Sequence, residues 1–216
     1  MKLHLGCGQT YLDGYVNVDF PSSEHQVQSI SVADRHADLT QLRFARNTVD
    51  EVRLHHVFEH FRRPEAAALM ASWNSWMREG AVLHIEVPDL GRMAWIFANP
   101  FASRRARAVA ERHLFGSHEA KWAAHYEGYD AAQMKSLFHA MGFSITQIKR
   151  THWRGTHNLH VFGRKATHFE HVEDALPRGR DYLCQFRVDD TVGELKMVDL
   201  WMLDFKRQLE KTWASA

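Results

Sequence analysis

Lys2–Asp19, KLHLGCGQTYLDGYVNVD, is the stretch whose reading decides the fold. Leu3 and Leu5 make a short apolar strand that runs into Gly6-Cys7-Gly8, and a second strand, Tyr15 to Val18, ends on Asp19. Two glycines directly after a strand let the backbone turn sharply and leave no side chain between chain and ligand. A carboxylate at the tip of the next strand is placed to accept hydrogen bonds from a ribose diol. Together they describe half of a nucleoside pocket. A plain tight turn capped by Asp19 accounts for the same residues, because a short glycine pattern is a weak signal.

A dinucleotide fingerprint needs a third glycine opening a helix that holds the pyrophosphate, with an acidic residue about twenty positions on. Here Thr10 stands near the third glycine's place, and Asp19 follows Gly8 by only eleven residues. Parallel strands normally need a crossover of about a dozen residues, so this connection holds at most a turn of helix. A nucleoside without phosphates does not need that helix.

The rest of the chain suits one α/β domain with an extension, since 216 residues are enough for a sizeable core. A hydrophobic share of 45% and a charged share of 25% are ordinary for a globular protein. A net charge of +1 gives no electrostatic footprint for nucleic acid, and the small cluster Arg104, Arg105, Arg107 reads as a solvated helix face. Two cysteines, Cys7 and Cys184, are too few for a disulfide framework. The early strand leaves no room for a signal peptide, and no stretch is apolar for long enough to span a bilayer. A cytoplasmic protein is expected. Most of the sixteen histidines, such as His25, His36, His84, His113 and His139, are scattered singly and read as surface or hydrogen-bonded residues.

In chain order, weak strand character around Val27 to Val32 leads to His36-Ala37-Asp38-Leu39, a second acidic residue after a short apolar step. Val49 to Val57 reads as a buried strand. Pro64 suits the first turn of a helix, whose Leu69, Met70, Trp73, Trp76 and Met77 are three and four apart and which Gly80 stops. Ala81 to Val87 is a further strand. A helical middle from Arg92 to Phe115 is broken near Asn99-Pro100. Gly116 to Tyr129, rich in aromatics and without a period, reads as a functional, lid-like loop. Asp130 N-caps a helix Ala131 to Met141 that Gly142 ends. Phe143 to Ile148 and Leu159 to Gly163 form an antiparallel pair. In the tail, Leu195, Val198, Met202, Phe205 and Leu209 make a heptad-like seam, open to packing on its own domain or to a homodimer contact.

Leu3-His4-Leu5-Gly6-Cys7-Gly8, Val16-Asn17-Val18-Asp19, Ala37-Asp38-Leu39, Val49-Asp50-Glu51-Val52, His56-Val57-Phe58-Glu59-His60 and Val87-Pro88-Asp89 occur in that order. The ordered set resembles class I S-adenosylmethionine-dependent methyltransferases, and is most similar to a compact group associated with polysaccharide and other glycan assembly. The resemblance implies an α/β, Rossmann-like, seven-stranded and mostly parallel sheet with a late antiparallel hairpin over residues 1–165. Residues 166–216 follow as a C-terminal extension with a long amphipathic helix. It implies S-adenosylmethionine as cofactor, with Gly6, Cys7 and Gly8 beside its methionine part and Asp19 on the ribose. Asp38 and Leu39 flank the adenine, His55 and His56 lie near the sulfonium, and Leu5 and Phe20 complete the cofactor set. One departure is His4, where the family often has an acidic residue that meets the cofactor's ammonium. Another is the shortness of the first two crossovers.

His56-Val57-Phe58-Glu59-His60 also satisfies the H-x-x-E-H pattern of a zinc peptidase class. That chemistry needs both histidines on one helical face, whereas here the segment straddles the turn between a strand and the helix opened by Pro64; no metal is expected. In the methyltransferase reading His56, Glu59, His60 or His125 can take the acceptor's proton, or they shape the pocket by hydrogen bonding. A sulfonium is a good leaving group, so alignment can supply most of the rate. Asn99-Pro100-Phe101 is similar to the motif that holds a flipped base in nucleic-acid amino-methyltransferases, but falls one strand too late and reads as a helix break. Trp95, Trp122, Tyr126, Tyr129 and Trp153 suit a sugar face or a core. The expected function is methyl transfer to a small-molecule or glycan hydroxyl. The rivals are a zinc-dependent hydrolase and a cofactor-binding module without catalysis.

Overall fold

The computed structural model describes residues 1–27 and 30–215. Seven strands, β1 (Lys2–Leu5), β2 (Val16–Asp19), β3 (Arg35–His36), β4 (Val49–His55), β5 (Met77–Pro88), β6 (Phe143–Trp153) and β7 (Thr156–Lys165), form one sheet in the order β3-β2-β1-β4-β5-β7-β6. Only β7 runs antiparallel to its neighbours. The helices are α1 (Arg63–Trp76), α2 (Leu90–Ala98), α3 (Arg104–Phe115), α4 (Ala131–Ala140), α5 (Val172–Cys184) and α6 (Val192–Thr212). Among the described residues the β1–β2 and β2–β3 connections carry no α-helix; the first is too short for one.

Strand alternation sorts the sheet into two faces. Leu5, Leu54, Ile85 and Val161 are cross-strand partners and fully buried in the apolar core. One residue along, His4, Arg53, His84 and Phe162 are paired on the opposite face, and beyond them His55, Glu86 and His160. Half the chemistry of the strands therefore lies on a polar, histidine-rich side.

α1 is buried nearly all round, not on one face, because α5 and α6 cover its outer side. Several of its polar groups bond inside the chain: Ser72 Oγ meets Thr212 Oγ1 at 2.8 Å, and Asn74 Nδ2 donates to Met141 O and Thr167 O. Four expectations change. α1 ends at Trp76, not at Gly80, and the chain passes straight into β5, where Gly80 lies inside an irregular stretch of the ladder. β6 and β7 are each longer than their apolar runs because a polar ribbon continues past the core. The strand expected around Val27 to Val32 includes Gln28 and Ser29, outside the described residues; the described ones around them belong to no strand. α5, which carries Pro177 inside it, was not foreseen at all.

Of the seam on α6, Val198, Phe205 and Leu209 are fully buried within the same chain, and Leu195 is half-exposed. Asp130 caps α4 through a 2.8 Å bond from Gln133 N. Among the described residues no helix is long and apolar enough to cross a membrane.

Candidate cofactor site

The carboxyl ends of β1, β2 and β4 open onto one cavity of about 1030 Å³. Gly6 and Cys7 both donate their N–H to Val18 O, at 2.8 and 3.1 Å, which folds the loop after β1 over the end of β2. Gly6 and Gly8 take φ of +70° and +54°, a region that side-chain-bearing residues rarely enter. A Cβ at Gly6 would meet Val57 Cγ2 at 2.2 Å, whereas one at Gly8 would meet nothing within 4 Å. Gly6 is thus required by packing, whereas at Gly8 only the backbone conformation calls for glycine.

Asp19 is nearly buried and lines the cavity, its Oδ2 accepting from Gly8 N at 2.5 Å and its Oδ1 from Phe20 N at 2.7 Å. Asp38, the second strand tip, lines the same cavity beside Leu39 and accepts at Oδ1 from Thr40 N and Oγ1. Burial first, and then the Asp19 charge, pushes the Cys7 thiol up to about 12, so it stays protonated.

At the other end stand His55, His56, His60 and Glu86. His56 has φ of +52° and its N–H bonds Glu86 O at 2.9 Å. Its ring lies between two carboxylates, Nδ1 3.4 Å from Glu59 Oε1 and Nε2 3.6 Å from Glu86 Oε1. Burial alone would lower its pKa, but Glu59 and Glu86 overturn that and raise it to about 10. Burial likewise opposes the Glu86 charge, yet His56, then His160 and His55, outweigh it and hold the carboxyl at about 2. Asn158 Nδ2 adds a 2.6 Å bond.

The cavity therefore brings together Gly6, Cys7, Gly8, Asp19, Phe20, Asp38, Leu39, His55, His56 and His60 from the sequence expectation. Three expected residues stand elsewhere. Leu5 is fully buried, because alternation turns it onto the helix-covered face. Glu59 and His125 lie behind the cavity wall, around a small void. Of the proton acceptors considered, His56 is pushed towards its imidazolium form by Glu59 and Glu86. The H-x-x-E-H segment is not helical: His56 follows β4 in a left-handed conformation, and Phe58–His60 form a single 3-10 turn. The two histidines consequently do not share a helical face.

Sequence reasoning missed Glu86, whose only signal is a lone acid in the apolar run Val82 to Val87. It also treated His25 as scattered, although that ring lies 3.5 Å from Asp19 Oδ1 and lines the cavity. Of the five aromatics considered for an acceptor, Trp122 alone is at the cavity; Tyr129 is core. Trp122 donates to Glu24 O at 2.9 Å and sits edge-on to His25, so the aromatic loop is tied across the mouth.

Strand order and the single antiparallel β7 are those of the Rossmann-like methyltransferase fold. Among solved structures, the chain is similar to the Burkholderia thailandensis 1,6-didemethyltoxoflavin-N1-methyltransferase with bound 1,6-didemethyltoxoflavin and S-adenosylhomocysteine. There the identity is 13% and the TM-score 0.51, over 76% of this chain and 70% of that one. It is also similar to an S-adenosylmethionine-dependent methyltransferase from Methanosarcina mazei, at 14% identity and a TM-score of 0.50, over 76% of this chain and 91% of that one. No family model and no curated protein matches the chain.

Proposed function

We propose that this protein is an S-adenosylmethionine-dependent methyltransferase acting on a hydroxyl of a small molecule or glycan. The observation that carries the reading is that the glycine bend and both acidic strand tips, Asp19 and Asp38, open onto one cavity. No helix follows the bend to hold a pyrophosphate.

The residues present fit that cofactor. A Cβ at Gly8 would meet open space, and Asp19 lines the cavity with Oδ1 held by Phe20 N and His25 and Oδ2 by Gly8 N and Cys7 Sγ, which fixes its carboxylate in place. Both bonds that Asp38 accepts from Thr40 fall on Oδ1. A volume of about 1030 Å³ exceeds what a nucleoside alone needs. When bound, S-adenosylmethionine supplies an electrophilic methyl on a good leaving group. Asp19, Asp38 and Leu39 bind and orient the adenosine end. Glu86 and the His56 imidazolium present fixed charges of both signs at the far end, where an acceptor oxygen is positioned. Trp122 restricts water at the mouth and offers a flat face to a sugar ring. Alignment of acceptor and methyl is the main contribution expected of the protein.

Calorimetric titration with S-adenosylhomocysteine, followed by transfer of labelled methyl from S-adenosylmethionine to a panel of sugars, nucleotide sugars and phenols, tests the reading. Saturable binding and labelling of one acceptor class are expected. No binding of S-adenosylhomocysteine would overturn it; binding without transfer to any class would favour a module that carries the cofactor and does no chemistry.

A further inference from the structure

Glu59 stands on the 3-10 turn Phe58–His60 with 1% of its surface exposed. Among the described residues neither of its carboxylate oxygens accepts a hydrogen bond. Its nearest cation is His56, whose Nδ1 lies 3.4 Å from Oε1, but His56 divides its charge between Glu59 and Glu86. A buried carboxylate without hydrogen bonds is costly, by several times the worth of an ordinary bond.

Two histidines face it. His60 Nδ1 is 3.1 Å from Ala124 O, and His125 Nδ1 is 2.9 Å from His113 O. A carbonyl only accepts, so both Nδ1 atoms carry the hydrogen, which leaves Nε2 as the ligating nitrogen of each ring. An imidazole whose Nδ1–H is pinned to a backbone carbonyl is oriented and tautomerically fixed in the way metal-bound histidines are. One ligand atom each from Glu59, His60 and His125 lies within 4.8 Å of the others, with His125 Nε2 3.9 Å from Glu59 Oε1, so small side-chain shifts bring the three into the first shell of one ion. The loop that supplies His125 is tied to the turn, since Tyr126 N and Glu127 N both donate to Glu59 O, at 2.9 and 3.3 Å.

We infer that Glu59, His60 and His125 form a binding site for a divalent transition-metal ion of the zinc type, through one carboxylate oxygen and two Nε2 atoms. Two imidazoles and one carboxylate suit zinc, where magnesium and calcium prefer oxygen throughout. His60 also lines the large cavity, so the proposed site borders it. The set differs from the H-x-x-E-H reading: His125, 65 positions beyond His60, replaces His56. Metal binding at these residues does not depend on the methyl-transfer reading. Only its use does: there, the ion would bind an acceptor hydroxyl as a Lewis acid.

The test uses full-length protein without a histidine tag, stripped with a chelator and titrated with Zn²⁺ by calorimetry and with Co²⁺ by visible absorption. One equivalent per chain is expected, with the intense visible bands of low-coordinate cobalt(II). Glu59→Gln and His125→Ala should each weaken binding at least tenfold, while His118→Ala, on the same loop but exposed, leaves it unchanged. Should Glu59→Gln not fold, His60→Asn and His125→Ala carry the test. Binding that survives these substitutions belongs to the other histidines and overturns the site, as does absence of stoichiometric binding. S-adenosylhomocysteine titrated into the stripped protein reads the cofactor site separately, so the two readings fail independently.

Discussion

Gly8 donates its backbone N–H to Asp19 Oδ2 at 2.5 Å, which makes the bend after β1 and the tip of β2 one mechanical unit. Asp19 has two functions in this reading, bracing the loop and accepting from the ribose. Asp19→Ala removes both and should weaken S-adenosylhomocysteine binding by about 1.5–3 kcal/mol, the scale of charged hydrogen bonds in a pocket. Asp19→Asn keeps one acceptor and should lose less. Calorimetry on both variants checks this, and equal affinity of Asp19→Ala and wild type would separate Asp19 from the cofactor.

The two glycines of the bend should respond differently to alanine. Gly6→Ala places Cβ 2.2 Å from Val57 Cγ2 at φ of +70°. That combines overpacking with backbone strain and should cost at least about 2 kcal/mol, a fall in Tm of about 4–8 °C for a chain of this size. Gly8→Ala has open space for its Cβ and should cost only about 1–2 kcal/mol of backbone strain. Its main effect should instead be on S-adenosylhomocysteine affinity, because the new methyl enters the cavity. Thermal melts and calorimetry, run together, separate the two effects.

The late antiparallel hairpin and the residues that gather at the cavity were legible because a short first crossover, two acidic positions after short strands and a late apolar pair of strands are all local signals; the seven-stranded sheet followed from the resemblance, and its strand order was not read. The extent of β6 and β7 was not, since Lys149 to Trp153 and Thr156 to Asn158 have no apolar alternation; ladder pairing alone holds them. Nor was the burial of Glu59. Its neighbourhood is built from Ala124, His125 and His113, more than fifty residues away, and no spacing rule connects them. Histidines read singly along the chain become a set only when the sheet register places His4, His55, His84 and His160 on one face. Pro177 concealed α5, because a proline inside a helix argues against one.

The α6 seam is committed to the chain's own core. Phe205 is fully buried in the core and packs against Gly179 of α5. Phe205→Ala should therefore cost about 3–5 kcal/mol and lower Tm whatever the protein concentration. A concentration-dependent Tm in the wild type, abolished by Phe205→Ala, would instead mean that the seam is shared with a second copy. Val192, Leu195, Met197, Leu200 and Leu203 are the large apolar residues of α6 left exposed for any such contact.

The histidine-rich face should make the fold sensitive to mild acid. His84 is 4% exposed, stacked on Phe162 at 3.9 Å, and faces Arg53 and His55 on β4, Glu86 on its own strand and His160 on β7. Burial foremost, and then the Arg53 charge, pulls its pKa from 6.5 to about 3. The folded state thus keeps His84 neutral through a range in which the unfolded chain binds a proton. Stability is fully present above pH 6.5 and falls as pH drops from there towards 3. His55, held at about 4 by burial and Arg53, loses stability in the same direction. Glu86, held at about 2, adds no slope until pH falls through the range where an unfolded glutamate titrates. His84→Phe preserves a ring beside Phe162 and removes the titration, so between pH 6.5 and about 5 its Tm should fall more slowly than that of the wild type. Parallel curves for the two proteins across that window would show that His84 already carries its proton in the folded state.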